Sequence, residues 1–186
     1  MNTFDFSQFP LLQSDRLILK RATESDIESI LAILSEKDVV RYTGLEPYET
    51  LADAKTELDW YERLIQEKTG IRWAIFLKGE ERMIGSCGYK NYAAAHARAE
   101  IGYELNKSFW GRGIMSEALQ AVVHFGFTSM NLHRIEAEVD TRNAASSHLL
   151  RKFGFVDEGI LRDCEKEGDN YISLLSMSLL SNEYHS

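Results

Sequence analysis

An amphipathic helix placed between two strands is the feature that most restricts the fold of this chain. Residues 113–128 repeat apolar side chains at helical spacing, and one helical face therefore carries Met115, Ala118, Leu119, Val122 and Phe125. Residues 98–105 before the helix and residues 134–139 after it alternate polar and apolar side chains, a pattern typical of strands. This part of the chain therefore predicts a strand–helix–strand crossover.

The remaining segments add strands and helices around this crossover. Strands are predicted at Leu17-Ile18-Leu19 and at residues 72–77, 83–89, 155–162 and 171–180, and helices after the capping residues 23–26 and at 50–66 and 143–153. Residues 39–48, with one Gly and one Pro, are predicted to be a loop, and residues 163–169 an acidic turn. The order predicts an α+β fold with a mostly antiparallel central sheet, in a single domain over residues 1–186.

Size, charge and cysteine content narrow the classes of function. The chain has 186 residues and a formal net charge of −8, which disfavours nucleic-acid binding because that binding depends on Lys and Arg at the phosphates. Its longest apolar runs have five residues, against about 20 for a membrane span, and no signal-peptide pattern is visible. Two cysteines, Cys87 and Cys164, fit a reducing cytoplasm. The histidines lack metal-ligand spacing, so no metal site is expected.

A glycine-rich turn precedes the amphipathic helix. In Gly111-Arg112-Gly113 the two glycines allow a ligand to approach the backbone, and the first-turn N–H groups of the helix have no partners within it. These features predict an anion site suited to a pyrophosphate. The alternative is a turn that only starts a helix. The segment is neither a P-loop nor a dinucleotide fingerprint, because Gly-Lys-Ser/Thr and the third glycine are absent.

The succession of short motifs resembles the GNAT family of acetyltransferases. Trp110-Gly111-Arg112-Gly113, followed by Ser116-Glu117-Ala118, is similar to the coenzyme A loop of that family, and more narrowly to its Rim-type branch, the ribosomal-protein N-terminal acetyltransferases. Further matches cover nearly the whole chain: Ser14-Asp15-Arg16-Leu17-Ile18-Leu19, Ile84-Gly85, Ala99-Glu100-Ile101-Gly102-Tyr103, Asn143-Ala144-Ala145-Ser146 and Lys152-Phe153-Gly154-Phe155.

This resemblance implies a GNAT fold and acetyl transfer from acetyl-coenzyme A, used as the acyl donor, to an amine. The residues that it assigns to coenzyme binding are Gly111, Arg112, Gly113, Ile114, Met115, Ser116 and Asn143. Met115 stands where the wider superfamily usually has Gly or Ala. Because a backbone-mediated phosphate contact tolerates a side chain that points into the core, we expect Met115 to narrow the site without abolishing it.

The catalytic candidates are two carboxylates and one hydroxyl. Alternation along residues 98–105 puts Glu100 and Glu104 on one strand face, and the resemblance makes Glu100 the first and Glu104 the second candidate for the general base. Ser146 is expected near the leaving sulfur, and Asn143 on the pantetheine arm. The alternatives are that both glutamates are solvent-facing ion-pair partners, and that Asn143 caps a helix with Ser146 in its first turn.

Several classes of acceptor are compatible with the sequence. The resemblance favours the α-amine of a protein N-terminus, and the alternatives are a polyamine, an amino sugar or an amino-acid derivative, or a coenzyme A-binding module without transfer activity. Tyr42, Trp60 and Tyr61 fall in the region that lines the acceptor site in relatives, although Trp60 and Tyr61 could simply pack as core. Either a monomer or a homodimer is compatible with the sequence.

Overall fold

The computed structural model describes residues 4–185, which form one curved sheet with helices on both faces. Its strands are β1 (Leu12–Gln13), β2 (Leu17–Lys20), β3 (Ile71–Leu77), β4 (Met83–Ala93), β5 (Arg98–Leu105), β6 (Arg134–Asp140), β7 (Val156–Glu167) and β8 (Asn170–Leu180). Its helices are α1 (Ile27–Leu34), α2 (Lys37–Val40), α3 (Leu51–Gln66), α4 (Ile114–Thr128) and α5 (Ala144–Lys152).

The sheet has the strand order β1-β2-β3-β4-β5-β6-β8-β7. The central pair β5 and β6 is parallel, and the other neighbouring pairs are antiparallel. The predicted α+β class with a mostly antiparallel sheet is therefore confirmed. The predicted crossover is also confirmed, because α4 connects the two parallel strands.

The parallel pair separates soon after it begins. Register pairs join β5 and β6 at only three positions, the last of which is Glu100 with Glu136. Both strands continue beyond that point, β5 to Leu105 and β6 to Asp140. We call the unpaired region that follows Glu100 and Glu136 the strand divergence. It leaves a gap in the middle of the sheet, with backbone N–H and C=O groups on both sides.

Two cores, one on each face of the sheet, fix the positions of the helices. One face packs α4 and α5 against β-strand residues such as Trp73, Ile101 and Ile135. The opposite face packs α1 and α3 against residues such as Ala74 and Phe76. Successive residues of β3 thus enter different cores, as the two-residue period of a strand requires. The second core does not extend to the strands from β6 to β7, where the same face carries charged side chains beside the buried Leu174 and Ser178.

Three segments differ from the sequence-based expectation. A two-residue strand, β1, precedes the predicted first strand and pairs with it through Leu12 and Leu19. The predicted loop at residues 39–48 was wrong at its start, because the helical turn α2 reaches Val40 before Gly44 and Pro47 can interrupt it. The predicted acidic turn at residues 163–169 was wrong at its start: the turn is confined to Gly168 and Asp169. β7 continues to Glu167, since exposed carboxylates do not prevent the backbone pairing of Glu167 with Asn170.

No helix within residues 4–185 combines the length and the apolar character needed to cross a bilayer.

Charged side chains connect β5, β6 and β7 on the face opposite α4 and α5. Arg134 forms ion pairs with Glu136 and Glu158, and Arg98 forms a further one with Glu136 at 2.7 Å. Ser178 Oγ donates a hydrogen bond to Glu158 at 2.8 Å. The hydrogen bonds from Arg134, and then the one from Ser178, lower the pKa of Glu158 from 4.5 to about 2. This network ties β5, β6, β8 and β7 together.

We predict that Glu158→Gln lowers the free energy of unfolding by about 1 kcal/mol near pH 7, the usual upper value for an exposed ion pair. The pKa of Glu158 is lower in the folded protein than in the unfolded chain. Its contribution is therefore present above about pH 4.5 and is lost as the pH falls towards about 2. Urea unfolding at several pH values should show the difference from wild type shrinking over that window. Glu80→Gln, in the turn after β3, is the matched control, and an equal loss there would contradict the assignment.

Candidate active site

The glycine-rich turn has the backbone conformation of an anion site. Gly111 and Gly113 have φ values of +72° and +73°, in the left-handed region that favours glycine. A Cβ atom at Gly111 would meet no heavy atom within 4 Å, and one at Gly113 would meet only Arg16 Nη2, at 3.6 Å. The first bond of α4 runs from Glu117 N to Gly113 O at 3.1 Å. The N–H groups of Ile114, Met115 and Ser116 consequently have no partner within the helix.

An ion pair that the sequence analysis did not single out fixes this turn. Glu117 accepts hydrogen bonds from Ser14 Oγ (2.6 Å), Arg16 N (2.7 Å) and Arg16 Nε (2.6 Å). Arg16 Nη1 in turn donates to the carbonyl oxygen of Arg112 at 3.1 Å. Partial burial opposes ionisation of Glu117, but the hydrogen bonds from Ser14 and Arg16 outweigh it and lower the pKa of that carboxyl. Both partners lie in segments that carry the family resemblance, and only the fold brings the two segments together.

Met115 and Trp110 leave the turn open. The Met115 side chain is buried in the core beneath α4, so it takes up no space at the backbone N–H groups. Trp110 is exposed, and its indole Nε1 donates to the carbonyl oxygen of Leu105 at 2.8 Å. Residues 111–116, which the resemblance assigns to coenzyme binding, thus form this turn and the first turn of α4. Asn143 lies at the start of α5, after β6.

The start of α5 carries the predicted pair Asn143 and Ser146. Asn143 Oδ1 accepts a hydrogen bond from Ser146 N at 3.1 Å, so the capping alternative is present in the structure. This cap uses the amide oxygen of Asn143 and leaves its nitrogen for a ligand. Ser146 Oγ lies 2.8 Å from the hydroxyl oxygen of Tyr103, on β5. The pair is therefore connected to the opposite side of the strand divergence.

Glu100 lies at the start of the strand divergence, on the face opposite α5. Its carboxylate is 2.9 Å from Lys90 Nζ and accepts a hydrogen bond from Asn91 Nδ2 at 2.8 Å. Glu138 follows on the same face of β6, and no Lys, Arg or His nitrogen of residues 4–185 lies within 4.0 Å of its carboxylate. Partial burial, then the negative charge of Glu100, raises the pKa of Glu138. Alternation alone could have indicated Glu138, but not its lack of a cation partner.

Glu104 belongs to a buried polar network beneath α3. It forms an ion pair with Arg72 and accepts hydrogen bonds from Ser86 Oγ and Tyr61 Oη. The Arg72 guanidinium also lies over the rings of Trp60 and Tyr61, at 5.4 and 5.6 Å from their centroids. Removing one partner of a buried ion pair typically costs about 3–5 kcal/mol. The contacts of Glu104 thus make it a structural group as well as a base candidate.

A second buried carboxylate completes this network. Glu57, on α3, accepts a hydrogen bond from Tyr48 Oη at 2.8 Å. Burial, reinforced by the nearby Glu104, raises the pKa of Glu57, and burial also raises the pKa of Tyr48. With Arg72 as its cation, the network therefore holds two carboxyl groups and one guanidinium.

The other residues that the sequence analysis considered are aromatic side chains, cysteines and potential metal ligands. Tyr61 is buried and Trp60 half-buried, so at least one of them packs as core. Cys87 is a buried core thiol whose pKa is raised by burial to about 12, whereas Cys164 is exposed. Within residues 4–185, no group of three or more His, Cys, Asp or Glu side chains is placed to hold a metal ion.

The sequence matches one domain family and a set of named relatives. Residues 16–156 match the family described as an acetyltransferase (GNAT) domain. The uncharacterized N-acetyltransferase YoaA of Bacillus subtilis (strain 168) is 45% identical over 154 residues, which are 83% of this chain and 87% of that protein. Two proteins of Escherichia coli (strain K12) are 25% identical: spermidine N(1)-acetyltransferase, over 89% of this chain and 87% of its own, and the ribosomal protein uS5-alanine N-acetyltransferase, over 82% and 81%.

Solved structures share the fold. A GNAT-family acetyltransferase from Bacillus anthracis superposes with a TM-score of 0.83 at 25% identity, covering 94% of this chain and 100% of that one. RimL, a ribosomal L7/L12 alpha-N-protein acetyltransferase in complex with coenzyme A, superposes with a TM-score of 0.82 at 23% identity, covering 92% and 98%. The second likeness is evidence for the fold alone.

We predict that Gly113→Ala weakens coenzyme A binding about tenfold, a loss of about 1.4 kcal/mol. A Cβ in the left-handed region costs about 1–2 kcal/mol, and the turn would relax by moving the first-turn N–H groups. Gly79→Ala is the matched control, because Gly79 has a φ of +84° and open space but lies in the turn between β3 and β4. Both variants should lose similar stability in thermal unfolding. If calorimetry gave the same coenzyme A affinity for Gly113→Ala and Gly79→Ala, this turn would not be the coenzyme site.

Proposed function

Because this chain belongs to the GNAT family of acetyltransferases, and is therefore an acetyl-transferring enzyme, we propose that its acceptor is the α-amino group of a protein N-terminus. The observation that carries the proposal is the arrangement at the strand divergence. Glu100 lies on one face of the sheet and Ser146 on the other, so an amine and a thioester can meet through the gap between them. On the acceptor side, β7 is exposed along nearly its whole length, which supports a polypeptide end as acceptor.

The donor side of this proposal is acetyl-coenzyme A held at the start of α4. Its pyrophosphate binds the first-turn N–H groups of Ile114, Met115 and Ser116, with Gly111, Arg112 and Gly113 forming the turn. Asn143 anchors the pantetheine arm through the amide nitrogen that its cap leaves free. The open space at Gly111 and the three first-turn N–H groups that have no partner within the helix support this fit.

The acceptor side needs only modest help with proton removal. An α-amino group has a reference pKa near 8, against about 10.4 for a Lys side chain, so a carboxylate or a water held by one suffices. Glu100 is the base in this proposal, acting directly or through water. Glu104 stays the second candidate, because its ion-pair partner Arg72 is buried, whereas the side chain of Lys90, the ion-pair partner of Glu100, is partly exposed to solvent.

A small polycationic amine is the second candidate acceptor. Glu138 lacks a cation partner among the described residues, and the charges of Glu100 and Glu165 add to the negative potential around it. Such a surface attracts polyamines as well as N-terminal ammonium groups. One relative of the chain is named a spermidine N(1)-acetyltransferase and another an alanine N-acetyltransferase of a ribosomal protein.

We predict that peptides with a small N-terminal residue have a higher kcat/KM than spermidine, spermine or amino sugars. Acetyl transfer is measured as release of coenzyme A thiol over one panel of amines. Peptides whose α-amine is blocked but which keep a Lys side chain serve as controls, and they should be poor acceptors because of their higher amine pKa. A higher kcat/KM for any polyamine than for every peptide would overturn the N-terminal proposal in favour of the second candidate.

We further predict that Glu100→Gln lowers kcat about 100-fold near neutral pH, the low end for the loss of one general base. The defect should shrink at high pH, where more of the acceptor is already the free amine. Glu136→Gln is the matched control, since Glu136 is the register partner of Glu100 on β6 and its carboxylate pairs with Arg98 and Arg134. A pH–rate profile left unchanged by Glu100→Gln would move the role to Glu104 or to solvent.

A further inference from the structure

A part-buried hydrogen bond spans the strand divergence on the face that holds α5. Tyr103 lies on β5, three residues beyond the last register pair, and Ser146 lies in the first turn of α5, which follows β6. Their hydroxyl oxygens are 2.8 Å apart. Within residues 4–185, neither side chain has another hydrogen-bond partner. The only side-chain bond that each makes therefore joins the two edges of the gap.

Either hydroxyl can be the donor in this bond, and donation by Tyr103 is compatible with its surroundings. Its ring packs against the main core, and burial raises its pKa to about 12, so the phenol keeps its proton at neutral pH. The ring has little freedom to rotate, whereas an isolated serine hydroxyl has several accessible rotamers. When Tyr103 donates to Ser146 Oγ, one lone pair of the serine is used and its own O–H is free to point elsewhere.

We propose that Tyr103 is a positioning residue, which fixes the Ser146 hydroxyl so that its O–H donates to the sulfur that leaves during transfer. This inference rests on the proposed function. The amine nitrogen forms the new bond to the acyl carbon, the carbon–sulfur bond breaks, and the sulfur departs with its electron pair. The amine proton goes to Glu100 or to solvent. Ser146 keeps its proton and stabilises the thiolate by a hydrogen bond, which is stronger to an ionised acceptor.

A double-mutant cycle tests whether Tyr103 acts only through Ser146. Tyr103→Phe should lower kcat about fivefold with KM for acetyl-coenzyme A unchanged, because the bond matters most in the transition state. Ser146→Ala should lower kcat more, and the double variant should equal Ser146→Ala. Tyr89→Phe is the matched control: it removes a buried bond of the same 2.8 Å length, to the Val122 carbonyl oxygen, away from the gap. It should lose stability and keep its kcat.

A second readout does not depend on turnover. The thiol pKa of bound coenzyme A, followed by thiolate absorbance, should rise by about one unit in Ser146→Ala and by about half a unit in Tyr103→Phe, relative to wild type. Cys87, the titratable group that faces Tyr103 from β4, stays neutral over this range because its pKa is about 12. Should Tyr103→Phe fail to fold, Tyr103→Met replaces it with the same expectations.

The outcomes separate this inference from the acceptor proposal. If the best acceptor proves to be a polyamine, the double-mutant cycle measured with that acceptor still tests the positioning role of Tyr103. An additive cycle, in which Tyr103→Phe still lowers kcat fivefold without the Ser146 hydroxyl, would mean that Tyr103 acts on its own and would overturn the positioning role. An unchanged kcat and an unchanged thiol pKa in Tyr103→Phe would overturn it as well.

Discussion

The early separation of two parallel strands is the constraint on which the rest of this structure depends. A parallel pair normally continues its ladder for the length of both strands, but β5 and β6 pair at only three positions. The crossover helix α4 sets them side by side, and the core under Ile101 and Ile135 holds their beginnings together. Beyond Glu100 and Glu136, the gap between the two strands can be reached from both faces of the sheet. Elsewhere in the sheet, the paired strands separate the two faces.

The two faces at this gap differ in chemistry because different elements cover them. On the face of α4 and α5 the neighbouring groups are hydroxyls and helix-start N–H groups, which are neutral donors suited to phosphate and to a developing thiolate. On the opposite face they are carboxylates, and the buried pair of Arg72 and Glu104 holds α3 against the sheet. A donor with a negative tail and a positively charged amine are each matched to one face. Family membership fixes the transfer reaction, and this asymmetry supports the proposed placement of the two substrates.

The order of elements could be read from the sequence, since it depends on local periodicity. The helical repeat of residues 113–128 and the alternation of residues 134–139 both appear in the structure within one or two residues. The predictions from the sequence were wrong where a local residue pattern competes with strand pairing or is too short to be periodic. The acidic residues 163–169 are predicted to be a turn, yet β8 supplies backbone partners for Glu165, Lys166 and Glu167. The single turn α2 carries no periodic apolar face and could not be recognised.

By itself, the sequence determined the α+β class and the glycine turn before α4, because propensity and spacing are local properties. Its resemblance to the family supplied the candidates Glu100, Glu104, Asn143 and Ser146. Only the tertiary structure decided what these groups contact. Glu104 forms an ion pair with Arg72, whereas Glu138 has no ion-pair partner among residues 4–185. Arg16 reaches Glu117 across 101 residues, and Tyr103 reaches Ser146 across 43. Hydrogen bonds and ion pairs act over a few ångströms of space whatever the separation along the chain, so only the folded sheet and its helices could fix which of them form.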